Sequence, residues 1–332
     1  MKSLKFALIF VAFFVFSGQA LAAEYIIKSA SLQSNEFPPQ KAFFDFKEYV
    51  EKNSKGRIEV QRYMDGQLGN INECMEAVQM GIIQMTYPTI SDLTAFDKRL
   101  GVTELPFMFP DFDTALKVLH GELGVKIEPM IKKLKMIPVG YFSNGNRSIS
   151  NNIRPIYTPA DLKGIKIRTM QSPVHIATFK ALGANPTPIS YSELYTSLQQ
   201  GVVDAQENSA LLMTDIGLET VQKYYSLTNH VVSVVVPVVS EKWFEALPSD
   251  LQKVVLDGSK VFEKKWNEYF VAAEGKAREK MLKAGMKIND LTPAQRAEFQ
   301  KVAQKVYKEF ESTIGKDLIN TSVESVKTHS KK

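Results

Sequence analysis

From residue 24 onward the apolar positions recur with two alternating periods. Glu24–Ser31 reads as a strand, and Pro38 and Pro39 then open a helical pattern. That pattern sets Ala42, Phe43, Phe46 and Val50 on one face and is closed by Gly56. Arg57–Tyr63 alternates Ile58 and Val60 against Glu59 and Gln61, as a half-buried strand does. A short helix over Asn72–Met80, stopped by Gly81, leads into an apolar strand at Ile82–Tyr87. A β-α-β-α-β order predicts a parallel sheet covered on both faces.

The series returns near Gly164. Ile165–Arg168 reads as a strand, Ser172 and Pro173 as a helix start, and Gly183 as its stop. Thr187–Ile189 is a short strand. Ser190–Glu193 has capping-box spacing, a helix runs to Gln200 and Gly201, and Val202–Ala205 is the next strand. The two helix-to-strand joints match at a constant offset: Val78-Gln79-Met80-Gly81-Ile82-Ile83-Gln84 against Leu198-Gln199-Gln200-Gly201-Val202-Val203-Asp204. Two similar α/β lobes follow, and with them a cleft at the carboxyl ends of their strands. The last third changes character. From Pro248-Ser249-Asp250 to Ala284 it is rich in Lys, Glu and Ala without proline, predicting either one helix of about 50 Å, long enough to cross both lobes, or two broken at Gly258 or Gly275. A further helix covers Pro293–Ser312, and the basic end after Ser322 is expected to fray.

The N-terminus adds a destination. Lys2 and Lys5 precede the apolar run Phe6–Phe16, followed by the small-residue site Ala20-Leu21-Ala22. This is the three-part pattern of a secretory signal over residues 1–22, cleaved after Ala22. Eleven apolar residues reach only about half of a ~30 Å hydrocarbon core, so a membrane anchor is not expected, and no cysteine follows for a lipid. The mature chain is expected in the bacterial periplasm. Losing Lys2 and Lys5 takes the formal net charge from +5 to +3, which offers no electrostatic case for nucleic acid. Cys74 is the only cysteine, so no internal disulfide can form.

The inventory of chemistry is mostly absence. His120, His175, His230 and His329 show no paired-ligand spacing, and there is no GxSxG, P-loop or GxGxxG. No cofactor, metal or catalytic residue is predicted. Arg168 stands out because it ends a strand and precedes a helix start. A guanidinium there can grip a carboxylate with two parallel hydrogen bonds, and the helix dipole favours an anion. Its position alone also fits a surface arginine lying along the sheet. Asn208 follows the strand Val202–Ala205, where it is either a polar contact or a turn residue. Arg147, at the handover between lobes, is either a basic contact or a solvated loop charge.

Longer stretches carry a specific resemblance. Arg154-Pro155-Ile156, Thr158 through Arg168 (TPADLKGIKIR), Ala181-Leu182-Gly183-Ala184-Asn185-Pro186-Thr187-Pro188, Glu193-Leu194-Tyr195 and Gln199 through Asn208 (QQGVVDAQEN) follow in order. They are flanked by Glu104-Leu105-Pro106-Phe107 and Ile314 through Ile319. Together they resemble the DctP family of extracytoplasmic solute-binding proteins, which serve tripartite ATP-independent periplasmic (TRAP) transporters. The resemblance implies an α/β, two-lobed periplasmic-binding-protein fold, type II-like, with a long helix spanning both lobes. It divides the chain into lobe I (23–147 plus about 235–270), lobe II (148–234 plus about 271–325) and a basic tail, 326–332. It implies a receptor, not an enzyme, that closes on a small carboxylate and delivers it to small and large membrane subunits; a monomer is the default expectation for such a diffusing receptor. Arg168 matches the main carboxylate clamp, Arg147 a second basic contact and Asn208 a polar contact. Tyr191 matches an aromatic position, Gln171 a further polar contact and Glu76 an acidic residue facing the cavity. The usual Asp-Gly-Gln-Glu-Asn-Pro run is here Asp204 through Ser209 (DAQENS), and Tyr191 replaces the frequent Phe or Trp. The tyrosine hydroxyl, Gln171 and Glu76 lean the expected ligand toward a sugar acid or hydroxy acid. The alternatives are a periplasmic enzyme acting on a small acid in the same cleft, and a receptor for an ATP-driven (ABC-type) importer.

Overall fold

The computed structural model describes residues 22–330; the expected leader lies outside that range except for Ala22, as do Lys331 and Lys332 of the tail. In chain order the elements are β1 (Tyr25–Ala30), α1 (Lys41–Asn53), β2 (Ile58–Tyr63), α2 (Ile71–Met80), β3 (Met85–Thr86) and α3 (Ile90–Leu93). Then come α4 (Phe112–Leu119), α5 (Glu122–Lys133), β4 (Met136–Pro138), β5 (Phe142–Asn151), β6 (Lys166–Thr169), α6 (Pro173–Ala181) and β7 (Asn185–Pro188). They are followed by α7 (Leu194–Gln199), β8 (Ala205–Asn208), α8 (Ala210–Asp215), β9 (Tyr224–Val235), β10 (Val238–Ser240) and α9 (Glu241–Glu245). The chain ends with α10 (Ser249–Lys283), β11 (Lys287–Asp290), α11 (Pro293–Ile314) and α12 (Lys316–His329).

Two sheets result, ordered β2-β1-β3-β10-β4 and β7-β6-β8-β5-β9-β11. In the first, β1 lies parallel between β2 and β3, and β10 runs antiparallel to β3. In the second, β6 lies parallel between β7 and β8, and β5 runs antiparallel to β8. The arrangement repeats, and its repeat reaches the hydrogen bonds. Gly81 and Gly201 both adopt left-handed backbone (φ 79° and 70°), which glycine takes without a Cβ penalty. Just beyond them the Ile82 amide donates to Ala77 and the Val202 amide to Ser197. The next bonds tie Gln84 to Lys28 and Asp204 to Lys166, the same joint in each lobe.

Those joints also correct the sequence reading. Ile82–Gln84 are consumed by the turn, which leaves Ile82 exposed, so the expected strand shrinks to Met85–Thr86. In the second lobe the strand begins at Ala205, three residues later than expected, because Gln206, Glu207 and Asn208 pair with β5 and are buried despite their polarity. Ser190 does not form a capping box: its hydroxyl donates directly to the Glu193 carboxylate (2.6 Å). Ser172 occupies the N-cap position of α6, but its side chain accepts no cap bond. Reciprocal caps form at Asn70/Glu73, Thr89/Asp92 and Thr292/Gln295, while at Thr158 the Asp161 carboxylate accepts from the Thr158 amide and hydroxyl and the Asp161 amide donates to the Thr158 carbonyl.

The long helix is continuous. Its 35 residues pass through Gly258 and Gly275 and reach about 52 Å at ~1.5 Å each. α10 lies against α1, α8 and β5, and Phe262, Trp266 and Phe270 share a core with Phe37, Phe43, Phe46 and Phe142. The Trp266 indole donates to the Ser143 carbonyl (2.8 Å), which fastens the helix to β5. The C-terminus does not fray after Ser322. That serine and Ser325 are buried, α12 runs to His329, and it packs on α4 and α5 of the range assigned to lobe I as well as on α11 of the range assigned to lobe II.

Candidate functional site

The parallel strands of both lobes point their carboxyl ends at one cavity, as open α/β sheets do for ligands. It encloses about 890 Å³ including its mouth. The first lobe contributes Ser31, Leu32 and Gln33 after β1, Asn70, Ile71 and Asn72 at the head of α2, and Tyr87, Thr89 and Asp92 after β3. The second contributes Arg168, Met170 and Gln171 after β6, Ile189–Ser192 after β7, and Asn208 and Leu212 after β8. Asn144 and Arg147 of β5 also line it.

Arg168 is 3% exposed, and Nε donates to the Ile189 carbonyl (2.8 Å). Among the described residues its two terminal nitrogens meet no acceptor, and no carboxylate lies within 4.0 Å. Burial, then repulsion from Arg147, lowers its pKa to about 10, so the site favours a partner of opposite charge. The fork is held by one end and open at the other.

Arg147 is differently employed. Its Nε and Nη2 grip the Glu207 carboxylate (2.5 and 2.8 Å), Nη2 also reaches the Glu207 carbonyl (2.6 Å), and Nη1 donates to Asn208 Oδ1 (2.9 Å). Burial opposes this charge, but Glu207 outweighs it and holds the arginine above its ordinary pKa. Glu207 sits at the hub of a larger buried cluster. His230 lies 3.1 Å and His175 3.4 Å from its oxygens, and His175 reaches Glu104 at 2.8 Å. Burial pushes the Glu207 pKa up, but Arg147 and His175 outweigh it and hold the carboxyl well below its ordinary range. Burial opposes the His175 charge as well, yet Glu207 and Glu104 raise that pKa to about 9, whereas burial lowers His230.

The other predicted residues divide. Asn208 is buried as the last residue of β8, with Oδ1 held by Arg147 and its amide nitrogen without a partner among the described residues. Tyr191 lines the cavity, its hydroxyl 3.3 Å from the Leu212 carbonyl, and burial pushes its pKa far up. Gln171 lies at the rim, where Oε1 accepts from Asn72 of the opposite lobe (3.1 Å). A second cross-cleft contact joins the Ser34 hydroxyl to Asp215 (2.5 Å). Glu76 is exposed on α2 and does not line the cavity; the first turn of that helix faces inward, and Glu76 lies beyond it.

Sequence reasoning assigned no role to Asp92, Asn144, Glu207, Glu104 or His175. Thr89-x-x-Asp92 carried legible capping spacing. The Glu104–His175–Glu207–Arg147 cluster had no local signal, because its contacting pairs are far apart in sequence: 60 residues for Arg147–Glu207, 71 for Glu104–His175 and 32 for His175–Glu207.

Comparison with known proteins agrees with this architecture. A family model described as DctP, bacterial extracellular solute-binding protein, family 7, matches residues 29–313. The chain is 30% identical over 309 residues to the C4-dicarboxylate-binding periplasmic protein DctP of Rhodobacter capsulatus, covering 90% of each. It is 30% identical over 262 residues to the 2,3-diketo-L-gulonate-binding periplasmic protein YiaO of Escherichia coli, covering 78% of this chain and 79% of that one. Among solved structures, the sugar acid binding protein DctPAm of Advenella mimigardefordensis in complex with galactonate superposes at TM-score 0.89 with 27% identity, covering 93% of this chain and 99% of that one. A TRAP periplasmic solute binding protein of Sulfurospirillum deleyianum with bound succinate superposes at 0.85 with 33% identity, covering 90% and 98%.

Proposed function

The chain belongs to the DctP family of bacterial extracellular solute-binding proteins, and from that footing we propose that it is a periplasmic receptor for a hydroxylated organic acid, a sugar acid or hydroxy acid. One observation carries the reading: a buried guanidinium, fixed through Nε, offers two unpaired nitrogens to an enclosed cavity between the lobes. A carboxylate supplies both acceptors and the missing charge. Arg168 is the clamp in this reading. Asn208 offers an amide nitrogen, Tyr191 a phenol, Gln171 a polar rim, and Arg147 holds the floor through Glu207. Glu76 has no place in it.

Ligand acts by shifting an open–closed equilibrium through contacts made in both lobes. The moving bodies are residues 23–147 with about 235–270, joined by α12, and 148–234 with about 271–315. The closed form is recognised by paired small and large membrane subunits of a TRAP transporter, and the receptor works there as a monomer after its leader is removed.

Thermal-shift screening of the mature protein against organic acids identifies the ligand. Calorimetry then tests the clamp: Arg168→Lys keeps the charge but loses the planar fork, and weakens binding by roughly tenfold or more. Unchanged affinity removes Arg168 from the site. Turnover of the stabilising acid would instead favour an enzyme in the same cleft.

A further inference from the structure

The cavity holds one charged group to which neither the sequence reading nor the proposed receptor role assigns a task. Asp92 lies at the third position of α3, on the first-lobe wall, and lines the same space as Arg168. One of its oxygens completes the helix cap: Oδ2 accepts from the Thr89 amide (2.8 Å) and the Thr89 hydroxyl (2.7 Å). A cap needs only that oxygen. The other, Oδ1, accepts from no group among the described residues, and it is not sealed from the cavity. Burial pushes the Asp92 carboxyl up from its ordinary pKa while the Thr89 bonds and Arg168 pull it down, and among the described residues Asp92 and Arg168 form no ion pair within 4.0 Å. The closed cleft therefore presents a cation on one wall and an anion on the other, with room for a molecule between them.

We propose that Asp92 is the first lobe's specificity-determining residue, accepting a hydroxyl of the cargo at the end remote from Arg168 and excluding cargo that carries a second carboxylate there. This rests on the carboxylate-receptor reading and narrows it to hydroxylated monocarboxylates. Like charges brought together in a desolvated site are costly, and a site built to accept a donor rejects a group that has none. Arg168 cannot serve both ends of a short diacid. Arg147 offers no relief, since its donors are committed to Glu207 and Asn208.

The test uses acid pairs that differ only in the remote group, hydroxymethyl against carboxylate: galactonate with galactarate, and 4-hydroxybutanoate with succinate. Titration calorimetry is run on the wild-type mature protein, on Asp92→Asn and on Arg168→Lys. Asparagine keeps an acceptor for the Thr89 cap while removing the charge. The wild type is expected to favour the hydroxylated member of a pair by at least roughly tenfold, and Asp92→Asn to shrink that ratio by a similar factor, chiefly by admitting the diacid. An unchanged ratio in Asp92→Asn overturns the assignment, and so does a wild type that prefers the diacid or binds neither pair. The wild-type ratio stands whether or not the variant folds. If affinity in either pair still depends on Arg168 while the ratio ignores Asp92, only this assignment fails; if affinity is indifferent to Arg168, the receptor reading beneath it fails as well.

Discussion

Two arginines stand at the cleft floor close enough to feel each other's field, and their surroundings give them opposite duties. Arg147 is compensated by Glu207, so removing it strands a buried carboxylate. Arg147→Ala is expected to lower unfolding free energy in denaturant by about 3–5 kcal/mol. Among the described residues Arg168 has no compensating carboxylate within 4.0 Å, so Arg168→Ala is expected to leave stability near wild type and to abolish binding in the same preparations. A second expectation concerns His175. Its pKa rises from 6.5 to about 9 on folding, so the stability it adds is complete below pH 6.5 and is lost as pH climbs through 9. The melting temperature therefore falls between pH 7 and 9, and His175→Gln flattens that slope; an equal slope in both proteins would refute the assignment. Arg168 was legible because strand end and helix start lie within a few residues of it. Glu207 was not, because a glutamate in a polar strand reads as exposed until its partners arrive from three other elements.

Elements were legible where their signals are local. The periodicity of α1, the glycine stops of α2 and α7, and the proline openings of α6 and α11 all lie in a few neighbouring residues. Boundaries of β3 and β8 slipped because tertiary pairing, not composition, decides where a turn becomes a strand. The continuity of α10 depends on the same contrast, and its two glycines separate it cleanly. A Cβ at Gly258 would come within 2.8 Å of Val50 Cγ2 and 3.2 Å of Tyr49 on α1, whereas one at Gly275 meets nothing within 4 Å. Gly275→Ala should stabilise by up to about 1 kcal/mol through helix propensity. Gly258→Ala carries the same gain against overpacking of about 1–3 kcal/mol, and a net loss is expected. Denaturant midpoints of the two variants, with matched slopes, check the sign.

Across the whole molecule, two side-chain bonds join the lobes, Asn72 to Gln171 at the cavity rim and Ser34 to Asp215 outside the cavity lining. In the proposed open–closed equilibrium such bonds break when the lobes part, so each is expected to contribute to affinity without touching the fold of either lobe. Gln171→Ala is expected to raise the dissociation constant by roughly two- to tenfold with an unchanged melting temperature for the empty protein. In solution scattering, ligand should reduce the radius of gyration, and no change on saturation would deny the clamp. The two-lobed plan was readable from the repeated order of elements and the 120-residue echo at Gly81 and Gly201. How the lobes are tied was not, since α12 crosses back to α4 and α5 from the far end of the chain.

The open fork of Arg168 reaches beyond recognition. If the chain works as proposed, shutting the lobes over vacant space would strip water from a cation and return nothing, so electrostatics would favour the parted lobes until cargo arrives. Shape thus becomes a faithful report of occupancy. A membrane partner that reads only the shut outline would ignore the idle population, however abundant, and engage solely receptors that carry freight.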